Sequence, residues 1–191
     1  MRITGGLARG RVITIPPGLE VRPTASKLRQ AMFNILGEKI QDAHFLDIFA
    51  GSGLIGMEAL SRGAASLTGI EENKKMARAI EMNLRKLDLD GKIYSADFRQ
   101  MLPRLAPKSF DIIFADPPYK TPFGRMVVER VDELALLHDD GIFILEHLRD
   151  YELPAPESLR NIERFDFRQY GQTTISLYRC KSETTSELVT V

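Results

Sequence analysis

Asp116-Pro117-Pro118-Tyr119 is the tetrapeptide of this sequence whose residue types speak most directly of chemistry. An amine attached to an aromatic base is a weak nucleophile, because its lone pair is delocalised into the ring. Holding both of its hydrogens on acceptors favours a pyramidal nitrogen and returns the pair to it. The Asp116 carboxylate and the Pro117 carbonyl are two such acceptors in adjacent residues. Consecutive prolines lack amide donors and fix φ, which keeps a loop rigid. Tyr119 then supplies a ring on which a base can stack. An Asp-Pro turn with a half-buried tyrosine is the plainer alternative for the same residues. The motif upstream of it decides between the two.

That motif is Asp47-Ile48-Phe49-Ala50-Gly51-Ser52-Gly53-Leu54-Ile55-Gly56, which closes an apolar run and opens a helical one. Gly51, Gly53 and Gly56 stand in GxGxxG spacing at a strand-to-helix turn, where glycine lets the backbone approach a ligand and helix-start amides offer donors. Glu71 follows Gly51 by 20 residues, at the place where a carboxylate accepts from both ribose hydroxyls. A nucleoside pocket is the consequence. Asp47 suits a cation better than a pyrophosphate, and no Lys or Arg lies between Asp47 and Leu60. Both points favour S-adenosylmethionine, with its ammonium and sulfonium, over a dinucleotide. Asp97 offers an acceptor for an adenine amino group and Phe98 a ring to cover the base, although an N-cap and a core aromatic explain that pair equally well.

The elements needed to position these groups are legible in the apolar pattern. His44–Phe49, Ser66–Glu71, Lys92–Ala96, Phe110–Ala115 and Gly141–Glu146 read as strands, several apolar on both faces as a parallel sheet requires. Helices are predicted over Leu54–Arg62 with Gly63 as C-cap, from an Asn73 cap to Leu87, and after Pro122. The alternation predicts an α/β fold: a doubly wound, Rossmann-like sheet covered on both sides. Arg164–Tyr170 and Thr173–Arg179, around Gly171, read as an antiparallel hairpin completing it. At the other end, residues 1–15 predict a hairpin closed by Pro16-Pro17-Gly18, a basic flap. Thr24 is the candidate cap of an amphipathic helix carrying Leu28, Met32, Ile35, Leu36 and Ile40 on one stripe, with Lys27 and Arg29 off it. The expected organisation is an N-terminal extension over residues 1–40, a nucleotide-binding domain over 41–180 and a frayed polar tail over 181–191.

Composition bounds the rest. The 191 residues hold 26 basic and 26 acidic side chains and are 43% hydrophobic, an ordinary globular balance. One cysteine, Cys180, gives no disulfide framework and no paired-cysteine zinc site. No apolar run approaches the roughly 20 residues of a membrane span, and Met1 opens no signal peptide, so a cytoplasmic protein is expected. His44, His138 and His147 have no partner spacing for a metal or a triad, so surface or strand-end positions are expected for them and no metal is called for. The charge is uneven: residues 1–40 carry seven basic and two acidic side chains, a field suited either to solvent or to a polyanion.

Taken in order, DIFAGSGLIG, IEE, ADF and DPPY resemble the amino-methyltransferase branch of the class I methyltransferases, over about residues 43–147. With MRITGGLARGR, RPTASKLRQAMFNIL and FRQYGQTTISLYR added, the resemblance extends over nearly the whole chain to the bacterial RsmD family. It implies S-adenosyl-L-methionine as methyl donor, guanine N2 of 16S ribosomal RNA as acceptor, and a monomer acting on the small subunit or an assembly intermediate. Asp47, Ala50, Gly51, Ser52, Gly53 and Glu71 would then hold the donor, Asp97 and Phe98 its adenine, and Asp116, Pro117, Pro118 and Tyr119 the target base. The same resemblance puts Arg9, Arg11, Arg22, Thr24 and Arg29 on RNA and brings Phe33 and Asn34 near the donor, a position in which Phe33 is equally a packing residue. By residue chemistry alone, a DNA amino-methyltransferase and a catalytically silent nucleotide-binding module stay open. The short chain, with little room for a separate reader of base edges, argues against the first.

Overall fold

The computed structural model describes residues 1–18 and 26–182. Its framework is a seven-stranded sheet ordered β3-β2-β1-β4-β5-β7-β6. The first five strands in chain order are β1 (His44–Asp47), β2 (Ser66–Ile70), β3 (Lys92–Tyr94), β4 (Phe110–Ala115) and β5 (Leu137–Leu148), all mutually parallel. β6 (Ile162–Tyr170) and β7 (Thr173–Cys180) form the C-terminal hairpin. β7 pairs antiparallel with β5, so the hairpin enters with its second strand innermost. The sheet matches the doubly wound expectation, and β5 is longer than Gly141–Glu146 because Leu137 already pairs with Phe110 across a register shift. Three exposed polar residues, His138–Asp140, had hidden that extension.

Helices cover both faces. α1 (Ser26–Leu36), α2 (Leu54–Ser61) and α3 (Lys74–Leu87) bury their apolar stripes with Phe45, Leu67, Ile112, Ile144 and Leu177 on one side. α4 (Phe98–Met101) and α5 (Phe123–Glu133) pack with Leu46, Ile113, Phe143 and Tyr178 on the other. This is the geometry that strands apolar on both faces demand. Asn73 caps α3 as predicted, its side chain accepting from the Lys75 and Met76 amides. Thr24, the candidate cap of α1, lies outside the described residues, as do the tail residues 183–191.

The N-terminal segment departs from its predicted form. The chain reverses within Gly5–Gly10, closed by a single antiparallel bridge between Arg2 and Val12, and Pro16–Gly18 merely leads out of it. Nor is it a flap. Ile3, Ala8 and Ile13 are buried in the core shared with α1, α2 and the sheet. Ser61 Oγ accepts from the Ala8 amide and donates to the Gly5 carbonyl, while the Leu7 amide donates to the Ser61 carbonyl. A Cβ added at Gly6 would fall 1.7 Å from that carbonyl oxygen, so only glycine fits under the turn. The segment is a strap laid on α2 and α3.

Glu58 is the pin of this arrangement. Its carboxylate, wholly buried, accepts from the Thr4 hydroxyl and amide of the strap and from the Arg62 guanidinium. Arg29 Nε of α1 stands 2.8 Å from it as an ion pair, out of line for a hydrogen bond. Arg29 is therefore only 4% exposed, with its Nη2 donating to the Arg2 carbonyl. This corrects its expected place among the RNA contacts. Its stem lies one residue from buried Leu28 and three from Met32, on the rim of the stripe that α1 buries.

Candidate active site

The carboxyl ends of β1, β2 and β4 open into a cleft of about 760 Å3, a size usual for small-molecule sites. β1 ends at Asp47, and the loop into α2 is held by the Ile48 amide on Phe114 O and the Ala50 amide on Ile70 O. Gly53 adopts φ 74°, and a Cβ there would lie 2.7 Å from Ile80. Both its conformation and the proximity of α3 exclude a larger residue.

Glu71, at the end of β2, is fixed by two amides. Oε2 accepts from Gly51 N and Oε1 from Asn73 N, each at 2.8 Å. Burial pushes its pKa up, with those two amides opposing and the Glu72 charge adding. Each carboxylate oxygen retains a second acceptor site, on a residue that lines the cleft. Asp47 lies behind the loop, 1% exposed and off the cleft wall. Burial raises its pKa to about 7, against the Gly56 amide and with the Glu71 charge. Ala50, Ser52 and Gly53 also shape the loop without lining the cleft.

Asp97 and Phe98 are both on the cleft wall. The Asp97 carboxylate caps α4 through the Arg99 amide and pairs with the Arg99 guanidinium, which holds its pKa below the usual range. Its engagement as a cap is the plainer role that the sequence left open for it. Phe98 packs between Phe49 and Phe123, at ring separations of 4.9 and 5.2 Å. Phe49 and Phe123 were not singled out in the sequence, since one reads as a strand end and the other as a helix start. Together the three rings form an apolar wall.

Asp116 to Tyr119 follow β4 on the opposite side of the cleft, and all four line it. Thr121 claims the Pro118 carbonyl through its hydroxyl at 2.6 Å and its amide at 3.2 Å, which rigidifies the turn. The Tyr119 hydroxyl donates to Glu146 Oε1 at 2.8 Å and lies 3.3 Å from Thr173 Oγ1. Burial pushes the phenol well above its ordinary pKa, so it is a neutral donor. Glu146, 4% exposed, is a functional neighbour the sequence reading missed. A lone acid inside the apolar run Ile142–Leu148 was its signal.

Of the remaining candidates, Arg9 and Arg11 are exposed on the strap, and Arg22 and Thr24 lie outside the described residues. Phe33 is buried beneath the Arg62 guanidinium, and neither it nor exposed Asn34 lines the cleft. His44 and His138 are on the surface. His147 is not: it is 5% exposed, its Nδ1 donating to Leu148 O and its Nε2 2.8 Å from Ser176 Oγ, and burial depresses its pKa. Among the described residues no cluster could hold a metal ion, and no helix is long and apolar enough to cross a membrane.

The cleft thus sets a carboxylate on a glycine loop opposite a rigid Asp-Pro-Pro-Tyr turn. Residues 1–179 match the family model described as Conserved hypothetical protein 95. The candidate rRNA methyltransferase YlbH of Bacillus subtilis (strain 168) is 33% identical over 183 residues, which are 94% of this chain and 98% of YlbH. Ribosomal RNA small subunit methyltransferase D of Escherichia coli (strain K12) is 30% identical over 188 residues, covering 98% of this chain and 93% of that protein. The solved structure of the candidate methyltransferase yhhF from Escherichia coli superposes with a TM-score of 0.82 at 31% identity, over 96% of this chain and 99% of the other. Matched from its first residue through its last strand, the chain belongs to the Conserved hypothetical protein 95 family, the RsmD family that its motifs resemble.

Proposed function

We propose that this protein transfers a methyl group from S-adenosylmethionine to the exocyclic N2 of a guanine in 16S ribosomal RNA. The observation that carries the reading is the meeting of Glu71 with Asp116–Tyr119 in one cleft. The cleft fits the donor: its wall offers a carboxylate backed by the glycine loop, an aromatic face, and Lys120 as its single basic residue among those described. When bound, S-adenosylmethionine supplies an electrophilic methyl group whose bonding pair remains on sulfur as the methyl leaves.

The residues of this chain do the rest. Glu71 accepts from the ribose hydroxyls, and Phe49, Phe98 and Phe123 cover apolar surface. Asp116 and the Pro117 carbonyl accept the two N2 hydrogens, and N2 donates its pair to the methyl carbon. The amine then sheds one proton, to Asp116 or to water. Tyr119, held by Glu146 and Thr173, presents a fixed ring for stacking.

The target base has to leave its stack to reach Asp116. A small chain with one strap has little surface for opening a free helix, so the substrate is a preorganised small-subunit particle or assembly intermediate in the cytoplasm. One copy carries both the donor wall and the acceptor turn, which supports a monomer. Methyl incorporation from labelled donor, followed by mapping of the modified base, tests the reading. Rates compared on deproteinised 16S RNA and on assembled particles test the substrate form. Incorporation at a pyrimidine, or none on either substrate, would overturn the reaction, and equal rates on naked RNA would overturn the particle.

A further inference from the structure

The excess of positive over negative charge in this chain lies in two stretches. Residues 1–40 hold seven basic and two acidic side chains, and α3 carries Lys74, Lys75, Arg78, Arg85 and Lys86 against Glu81. Everything else holds fourteen basic and twenty-three acidic side chains. The five cations of α3 are all exposed, on the face opposite the buried Met76, Ala77, Ile80, Leu84 and Leu87. A merely solvated helix face in this protein looks different. On α5, Arg125 pairs with Glu129 and Arg130 with Glu133, whereas no α3 cation enters an ion pair among the described residues.

The two stretches are also joined. Thr14 N donates to Asn83 Oδ1, Asn83 Nδ2 donates to Thr14 O, and the Arg11 guanidinium donates to the Lys86 carbonyl. These hydrogen bonds carry the charge of Arg9 and Arg11 onto the far end of α3. At its near end, Asn73 and Met76 line the cleft, with exposed Lys74 and Lys75 between them in the chain. From Lys74 to Lys86 the helix rises about 18 Å, and exposed Met82 interrupts the charges midway.

We propose that the outward face of α3, continued by Arg9 and Arg11, is a docking surface for the sugar–phosphate backbone of the RNA substrate. This rests on the functional reading above and adds to it the route by which RNA leaves the cleft. A row of exposed cations without ion pairs among the described residues, in a chain net negative outside these two stretches, concentrates a polyanion there, and its contribution is electrostatic and independent of sequence.

The test is the triple variant Lys75→Gln, Arg78→Gln, Arg85→Gln, whose exposed positions leave the core intact, beside the control Arg125→Gln, Arg130→Gln on α5. Binding of a 16S RNA fragment is measured over a range of salt, together with KM for RNA, kcat and donor affinity. The expected slope of log affinity on log salt falls by about 0.7 to 0.9 for each phosphate that the variant no longer neutralises. KM for RNA rises several-fold, kcat and donor affinity hold, and the α5 control matches wild type. An unchanged slope and KM in an enzyme that methylates would refute the surface alone. Loss of binding to ribosomal particles with naked RNA unaffected would also refute it, by assigning the face to a protein. A salt-dependent slope lowered in the variant, with no methylation by wild type, would uphold the surface and refute the reaction.

Discussion

Relative to wild type, Asp47→Asn should gain stability as pH rises towards neutrality. Asp47 is 1% exposed, and its burial raises the folded-state pKa from 3.8 to about 7. Below the unfolded pKa both states are protonated and the group contributes nothing. Between that value and about 7, the unfolded chain has lost the proton and the folded chain retains it, so stability falls with rising pH. The slope is about 1.4 kcal/mol per pH unit, and the accumulated cost approaches roughly 4 kcal/mol above neutrality. Asparagine removes the titration. Its own unmatched amide adds an offset of about 1 to 3 kcal/mol that does not depend on pH. Urea unfolding of both proteins between about pH 5 and pH 8 separates the two effects. The variant-minus-wild-type stability should climb by roughly 3 kcal/mol from pH 5 to 7 and then level off. A difference flat across that window would refute the assignment of a protonated, buried Asp47. The donor provides a second readout. If the donor's cation approaches this carboxylate through the loop, it favours the ionised form, and wild-type donor affinity should strengthen with rising pH through about 7 and lose that dependence in the variant.

Three further outcomes follow from the geometry. Glu58→Ala leaves Arg29 buried without its partner and unpins the strap from α2, so thermal or urea unfolding should register a loss of about 3 to 5 kcal/mol; a loss under 1 would mean the strap is held by its apolar contacts alone. Glu71→Ala should weaken donor binding by about 1 to 3 kcal/mol in calorimetry, and NAD should not compete with the donor in either protein; tighter binding of NAD would overturn the choice of ligand. Asp116→Ala should abolish most single-turnover methylation at saturating RNA while donor affinity stays within a few-fold, because the role proposed for it is confined to the acceptor amine; a normal rate would remove this carboxylate from the mechanism.

What could be read in advance, and what could not, divides by distance along the chain. β4 was predicted at its observed limits, Phe110–Ala115, because an apolar run on both faces and the following Asp-Pro-Pro mark both its interior and its end. The Asn73 cap is equally local. The acceptor turn and the glycine loop are each contiguous, so their backbone constraints are written in consecutive residues. Arg29 failed as a predicted surface cation because its fate depends on Glu58, and no local pattern distinguishes an arginine that meets a buried carboxylate from one that meets water. The strap failed for the same reason, since Ser61 and Asn83 receive it from more than fifty positions away. Glu146 shows how this bears on function. Tyr119 was singled out in the sequence as a ring for stacking, but the carboxylate and hydroxyl that fix it come from β5 and β7. The hairpin order that places β7 beside β5 thus bears on the candidate site: with its second strand innermost, Thr173 stands 3.3 Å from the Tyr119 hydroxyl. A chain that added β6 next to β5 would keep every sequence motif and leave that hydroxyl without its threonine.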